Sequence, residues 1–487
     1  MQPWRVKTTR RRGYPRAVRR ASVAPGSGGY SHMTELTISG RPVASRAARL
    51  AWMFFDWAAQ PFFTLVTTFV FAPYFANHVA GNATDGQQIW GLAAGTAGLI
   101  IALLSPIFGA LGDVAGARKP WIAGFSVLAV LGSVALYFSV PGGEYAIAIG
   151  VAGFIVGTIG FEFATNFNNA MMPELVARSE LGRLSGSGWA FGYAGGIVCL
   201  FIVLGLMSAS PETGKTLFGL TPILGLDPAS YEGDRATGPF TAIWYLIFIT
   251  PMFLLVKDAP KHGNVAGALR RSLADLWTRT KALPARRSYF AFLVTSMIYR
   301  EGLNTVFVFG GIYAAGVLGM TIMQLGVFGI LVALTGAAGA WTGGVLDQRF
   351  GPKPVVATSC IVLALAALVV VSLSPESVLF FVALPPGSDV PLIGFYIAGA
   401  VIGAAGGALQ AASRTLLVDQ VEPGEVAEAF GFFALTGKAS NFIGPYLVTL
   451  FTALTQSQRW GVTPVIVLLA AGAVGLIWVS QKSPRAA

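Results

Sequence analysis

The sequence predicts an all-α polytopic membrane protein with twelve transmembrane helices in two pseudo-symmetric six-helix bundles. Three observations support this fold class: the composition, the regular spacing of apolar segments and a repeat between the two halves. Of the 487 residues, 54% are hydrophobic and only 11% are charged. Soluble globular proteins carry about 25% charged residues. The chain is therefore predicted to fold in a bilayer.

The chain divides by composition into five segments. We predict a basic, disordered tail (1–46), an N-terminal bundle (47–256), a cytoplasmic central loop (257–288), a C-terminal bundle (289–480) and a short tail (481–487). Residues 1–32 are consistent with three origins: a translation start assigned upstream of the true one, an arm that binds anionic lipid, and a targeting peptide. The first is favoured, so these residues need not belong to the mature protein.

Twelve apolar segments are long enough to cross a bilayer as helices, which takes about 20 residues each. Their many Gly and Pro residues suit membrane helices, in which small residues allow close packing and Pro kinks are tolerated. The predicted spans are 48–76, 88–112, 120–140, 145–168, 186–208, 239–256, 289–315, 322–346, 354–373, 390–413, 427–452 and 461–480.

The distribution of Lys and Arg predicts the orientation. Of the 33 basic residues, 27 lie in the tails and loops on one side of the predicted spans. Three lie on the other side, namely Lys215, Arg235 and Arg459. Because loops rich in Lys and Arg stay in the cytoplasm, both termini are predicted to be cytoplasmic. The net charge of +11 is explained by topology, so nucleic acid is not an expected partner.

The two halves repeat each other in two ways. Residues 109–119 (GALGDVAGARK) follow the second span, and residues 343–353 (GGVLDQRFGPK) follow the eighth. In addition, Asp56 and Glu301 lie 245 positions apart in the first spans of the two halves, and Glu180 and Glu425 are separated by the same offset just before the fifth spans. Such parallel repeats are typical of transporters whose binding site lies between two halves near the midplane.

The repeated Gly-x-x-x-Asp segments resemble the cytoplasmic-loop signature of the major facilitator superfamily. Residues 52–58 (WMFFDWA), 173–193 and 431–440 (GFFALTGKAS) resemble the vacuole-effluxer family of autophagy-related amino-acid effluxers and its bacterial relatives. Each copy departs from the signature once: in the first copy Val114 replaces the usual basic residue, and in the second copy Gly351 follows Asp347 by four positions instead of three. The first gate is therefore expected to be weaker than is usual in the superfamily. The resemblance implies secondary transport, and its fungal members imply efflux of amino acids from a vacuole.

The resemblance and the repeats together predict a cytoplasmic gate. In each copy an Asp ends a helix beside basic residues, and a charge cluster of this kind can lock two helices together in one state. A Gly four positions earlier would allow the helices to approach closely. The predicted gate residues are Gly109, Asp113, Arg118, Lys119, Gly343, Asp347, Arg349 and Lys353.

Ionisable and polar residues inside the spans predict the substrate or proton pathway, because such residues are costly in a bilayer. They are Asp56, Glu162, Asn166, Arg300, Glu301, Asn304 and Lys438. Asp56 could titrate or could anchor a neighbouring helix. Glu162 and Asn166 lie on one helical face, which could line a cavity or be the polar end of a helix.

Lys438 suits a substrate carboxylate, and it equally suits a buried ion pair with Glu301 or Glu162. Glu301 has Lys438 and Arg300 as candidate cations, so it is expected to stay ionised and to hold a cation network. Asp56 has no basic residue in its span nearer than Arg49, so it is the better candidate to carry a coupling proton. Both carboxylates are expected to face the pathway at similar depth.

The leading function is a secondary active transporter for a small polar solute, possibly an amino acid, that works by alternating access and proton coupling. The alternative is a receptor or scaffold that keeps the transporter fold without transport. No nucleophile–base pair or metal-ligand spacing indicates an enzyme, and no cofactor or metal is expected. The expected partners are the solute, protons and the bilayer of a bacterial inner membrane, with the protein as a monomer.

Overall fold

The structure is a computed structural model that carries side chains and describes most of the chain. The described residues are 37, 41–114, 116–177, 180–258, 265–422 and 425–481. Most of the predicted basic tail, and residues 482–487, lie outside them. The predicted segment boundaries stay predictions, and the helices beside them begin or end at Arg46, Leu255, Arg287 and Trp478.

Twelve helical spans follow one another in chain order, as predicted. Within the described residues, eleven helices are long and apolar enough to cross a membrane. The remaining span, α11, is broken into two shorter pieces. The spans are α1 (Arg46–Pro61), α2 (Ala83–Val114), α3 (Lys119–Ala135), α4 (Ala146–Met171), α5 (Leu181–Ile202), α6 (Thr237–Leu255), α7 (Arg287–Leu318), α8 (Ile322–Phe350), α9 (Pro352–Ser372), α10 (Val390–Asp419), α11a (Val426–Ser440), α11b (Ile443–Thr455) and α12 (Pro464–Gly475).

Shorter elements connect and extend these spans. The linker helix Val265–Ala282 lies between the two halves, and a two-stranded antiparallel hairpin of β1 (Ser377–Val378) and β2 (Val382–Ala383) joins α9 to α10. The remaining elements are the α-helical turns Phe71–Tyr74, Glu232–Arg235 and Gln458–Gly461, the π-helical segments Phe62–Phe69, Phe75–Val79 and Val203–Met207, and the 3₁₀ turns Leu136–Phe138, Met172–Glu174, Ile223–Gly225, Leu283–Ala285 and Leu476–Trp478.

The first span departs from a regular α-helix because it contains Pro61. Proline has no N–H and cannot bond to the carbonyl four residues earlier. That carbonyl belongs to Trp57, and it accepts a hydrogen bond from the indole N–H of Trp244 on α6 at 3.1 Å. After Pro61 the chain continues as π-helix to Phe69 and is interrupted at Val70. The predicted single helix at 48–76 is therefore a kinked span.

The halves meet closely on the side of the membrane opposite the linker helix, which we call the far side. A Cβ on Gly311 of α7 would overlap the carbonyl of Thr68 in the extension of α1. A Cβ on Gly326 of α8 would likewise overlap Leu204, which follows α5. One buried hydrophobic cluster also runs from the first half into the far-side parts of α7, α8 and α10. The far side is therefore closed in this conformation.

Candidate transport site

The polar group that joins the two halves contains Lys438, Glu162 and Asn166. The Lys438 ammonium on α11a lies 2.8 Å from a carboxylate oxygen of Glu162 and 2.7 Å from the side-chain oxygen of Asn166. Glu162 and Asn166 lie one turn apart on α4, in the other half. The Lys438 and Glu162 side chains are each 24% exposed. Of the two carboxylates of the chain that the sequence offers to Lys438, Glu301 and Glu162, the structure pairs it with Glu162.

Glu301 makes different contacts from those predicted. Its side chain is almost fully buried, with 2% exposure, and it accepts a hydrogen bond from the backbone N–H of Gly444 at 2.8 Å. Among the described residues it forms no ion pair with Lys438 or Arg300. The expectation that Glu301 holds a cation network is wrong for this conformation, because Lys438 extends across the interface instead.

The break in α11 explains why the N–H group of Gly444 bonds to Glu301 and not to a carbonyl of its own helix. Gly444 is followed by Pro445, which lacks the N–H that would bond to the Asn441 carbonyl. The helix stops at Ser440 and restarts at Ile443. The N–H groups at the start of α11b therefore have no partner in the preceding turn, and Glu301 satisfies one of them. The predicted continuous span at 427–452 is thus two helices.

Asn304 and Arg300 lie on either side of Glu301 along α7. The side-chain nitrogen of Asn304 donates to the side-chain oxygen of Asn441 at 3.0 Å. Arg300 donates to the carbonyl of Phe433 at 2.7 Å, and its guanidinium lies 4.2 Å from the centre of the Phe433 ring. Within the described part of the chain Arg300 has no carboxylate partner. These contacts hold α7 against α11.

Asp56 packs against glycine residues of α5. A Cβ on Gly188 would lie 2.6 Å from a carboxylate oxygen of Asp56, and one on Gly192 would lie 3.1 Å from its Cβ. Asp56 is only half-buried, and it makes no hydrogen bond or ion pair with the described residues. Asp56 and Glu301 therefore have unlike surroundings, although they occupy equivalent positions in the sequence repeat.

The first predicted gate segment differs from expectation in two ways. Gly109 is exposed, and a Cβ there would meet no atom of the described residues within 4 Å, so it serves no close helix contact among them. The Asp113 side chain lies outside the described residues. The backbone N–H groups of Arg118 and Lys119 both donate to the carboxylate of Asp258, at 2.8 and 3.0 Å. Asp258 follows α6 and caps the start of α3.

Sequence reasoning missed Asp258 because a cap supplied from another helix leaves no local pattern. The conventional signal is a Ser, Thr, Asp or Asn directly before the helix, and here that position is Arg118. The ammonium of Lys119 also donates to the carbonyl of Phe253 at 2.8 Å. The basic residues of this segment thus bind the end of α6, a neighbour that the sequence did not indicate.

In the second predicted gate segment the predicted close contact between helices is present, but the predicted ion pair of Asp347 is not found among the described residues. A Cβ on Gly343 would lie 2.7 Å from Ala408 of α10, so this glycine allows α8 and α10 to touch. Asp347 lies in the last turn of α8, and no ion pair joins it to Arg349 or Lys353 within the described residues. The predicted charge lock is therefore not formed in this conformation.

Solved structures with the same architecture are transporters of the major facilitator type. The D-xylose-proton symporter superposes with a TM-score of 0.62 over 90% of this chain and 98% of its own, at 13% identity. A bacterial homologue of the human lysosomal transporter Spinster, in an inward-facing conformation, gives 0.60 over 90% and 98%, at 14% identity. Twelve helices in two bundles thus define a major facilitator fold.

Sequence comparison places the chain more narrowly. Residues 76–487 match the family described as "Vacuole effluxer Atg22 like", and the chain belongs to that family. The MFS-type transporter YxiO of Bacillus subtilis (strain 168) is 23% identical over 438 residues, which are 89% of this chain and 95% of that protein. Autophagy-related protein 22 of Cryptococcus neoformans is 24% identical over 294 residues, 59% of this chain and 48% of that protein.

Proposed function

We propose that the protein is a secondary active transporter that moves a small zwitterionic solute of the amino-acid class by alternating access, driven by protons. The observation that carries the proposal is the group formed by Lys438, Glu162 and Asn166. It joins the two halves, it is partly exposed, and it contains one cation and one anion. A site of this composition can exchange its internal pair for a solute that carries both charges.

The charge balance favours a zwitterion over other small solutes. Hydrogen bonds to a charged group contribute about 1.5–3 kcal/mol each. A solute with only a carboxylate would pair with Lys438 and leave Glu162 without a cation. A solute with only an ammonium would leave Lys438 without an anion. An amino acid presents both groups on one carbon atom, so both side chains keep a partner when the direct ion pair between the two halves is broken.

Proton coupling is proposed to use Asp56. It is a half-buried carboxylate in the first span, and it has no hydrogen-bond or ion-pair partner among the described residues. Protonation of Asp56 would therefore break no existing contact.

We also propose that the linker helix and both termini face the cytoplasm of a bacterial cell, as the distribution of Lys and Arg favours, and that the protein works as a monomer.

Uptake into proteoliposomes tests the solute class with a matched series. Uptake of a labelled mixture of L-amino acids, with and without a pH gradient, is followed by competition with unlabelled alanine, lactate and ethylamine. These three molecules are similar in size. Alanine carries both charges, lactate carries only the carboxylate, and ethylamine carries only the ammonium. Alanine, or a larger amino acid in its place, is expected to compete far better than the corresponding hydroxy acid or amine.

Charge-removing variants test the site itself. Lys438→Gln and Glu162→Gln should each raise the KM for the amino acid by roughly 10-fold or more, in keeping with the loss of a charged hydrogen bond. The matched control is Lys215→Gln, which removes one positive charge from an exposed far-side loop. Equal competition by all three solutes, or a normal KM in both site variants, would contradict the proposal. Absence of all uptake would favour a receptor or scaffold.

A further inference from the structure

The break in α11 is held from one face of α7. Glu301 accepts from the N–H of Gly444 at 2.8 Å, and Asn304 donates to Asn441 at 3.0 Å. A Cβ on Gly444 would overlap the hydroxyl of Thr305. Residues 301, 304 and 305 share one helical face because their spacing is three and four positions. Two hydrogen bonds and one close contact thus tie α7 to this break.

The break determines where the Lys438 side chain starts. Lys438 lies in the last turn of α11a, three positions before Asn441. The angle between α11a and α11b therefore sets the direction of that turn. From there the ammonium reaches Glu162 in the other half at 2.8 Å. Loss of the tie at the start of α11b would let α11a change its angle, and a displacement of about 1 Å at the ammonium would lengthen its bonds beyond the usual range of about 2.7–3.2 Å.

In the described part of the first half, the equivalent helix has no such break and no such tie. It is α5, which runs unbroken from Leu181 to Ile202. Tyr193 occupies the position equivalent to Lys438 at the 245 offset, and Asp56, which is equivalent to Glu301, bonds to no described residue. The first and fifth helices of the first half are instead joined at their ends by the ion pair of Arg49 with Glu180 at 3.3 Å. Among the described residues, a tie from the first helix to a break in the fifth is thus found in the half that carries the ammonium.

We propose that Glu301 is a positioning residue that holds the break of α11 through its hydrogen bond to Gly444 and thereby places Lys438 at the solute site. This inference rests on the proposed function. The role requires an acceptor oxygen at the start of α11b and does not require a negative charge. A carboxylate at a helix N-terminus is also favoured by the helix dipole, but a neutral amide oxygen can accept the same bond.

Two substitutions separate the acceptor from the charge. Glu301→Gln keeps an oxygen that can accept from Gly444, whereas Glu301→Leu has a similar size and no acceptor. We expect Glu301→Leu to raise the KM for the best-transported amino acid by about 10-fold with little change in kcat. Glu301→Gln should stay within a few-fold of the wild-type KM. In the Lys438→Gln background, Glu301→Leu should raise KM no further, because Lys438 is the group through which it acts.

A distance measurement keeps the test independent of transport. Spin labels on Asn169 of α4 and Phe430 of α11a, both exposed, should report a shifted or broader distance distribution in Glu301→Leu and a wild-type distribution in Glu301→Gln. If the wild-type protein takes up no amino acid but the variants show these distance changes, the proposed solute is contradicted and the positioning role of Glu301 is supported. A Gln variant as defective as the Leu variant, a wild-type KM in the Leu variant, or an additive effect with Lys438→Gln would overturn the positioning role.

Discussion

Closure of the far side depends on glycines at points where the halves touch, and Gly311 offers the sharpest perturbation. A Cβ on Gly311 would overlap the carbonyl oxygen of Thr68, which is backbone and cannot rotate away. Overpacking of this kind costs about 1–3 kcal/mol. The contact exists only while the far side is closed, so Gly311→Ala should penalise that conformation alone. A change of 1–3 kcal/mol shifts a two-state population about 5- to 150-fold.

The neighbouring glycine supplies a matched control. A Cβ on Gly310 would meet no atom of the described residues within 4 Å, so Gly310→Ala changes helix propensity equally and leaves the closure contact intact. Glu144 and Glu376 are exposed residues between spans on the far side, one in each half. Spin labels at these two positions report opening of the far side as a longer distance in double electron–electron resonance. The two native cysteines, Cys199 and Cys360, are buried and should not compete for label.

The expected result is a population of longer Glu144–Glu376 distances in Gly311→Ala that is absent from the wild type and from Gly310→Ala. Transport should slow in Gly311→Ala, because the cycle must pass through the far-side-closed state. An unchanged distance distribution together with an unchanged rate in Gly311→Ala would refute the closure argument. Equal shifts in both variants would attribute the effect to helix propensity.

Three further predictions concern other parts of the molecule. Asp56→Asn should abolish accumulation of amino acid against its gradient, while exchange, measured as counterflow in proteoliposomes, should persist. If the variant still accumulates amino acid with normal pH dependence, Asp56 does not carry the coupling proton, and Glu162 becomes the next candidate. A cysteine at Ser230 should react with an impermeant thiol reagent applied to intact cells, and reaction at Ser272 instead would reverse the orientation. Asp258→Ala should lower stability by about 1 kcal/mol, as for other lost helix caps, seen as a lower Tm; an unchanged Tm would show that water replaces this cap.

Several elements of the fold could be predicted from the sequence because they depend on composition along one helix. A segment of about 20 apolar residues must cross the bilayer as a helix, since its backbone groups have no other partners there. The predicted spans therefore agree with the helices to within a few residues at most ends. Breaks were harder to predict. Pro61 and Pro445 were visible in the sequence, but membrane helices often tolerate proline.

The members of the candidate site were predictable, and their pairing was not. The cost of charge in a membrane singles out Lys438, Glu162 and Glu301 wherever they lie in a span. Which of the two carboxylates meets the ammonium depends on the distance between α4 and α11a, to which residues far apart in the chain contribute. Glu301 is buried and accepts a hydrogen bond from Gly444, because the break in α11 leaves the N–H group of Gly444 without a partner in its own helix.

The sequence by itself determined the class, the number of spans, the repeat and the identity of the ionisable residues, because each follows from local chemistry or from comparison of one segment with another. Only the tertiary structure decided that Lys438 bonds to Glu162, that Glu301 holds the start of α11b and that Asp258 caps α3. Each of these contacts joins helices that are distant in sequence. Their geometry is set by packing, which composition and periodicity do not specify.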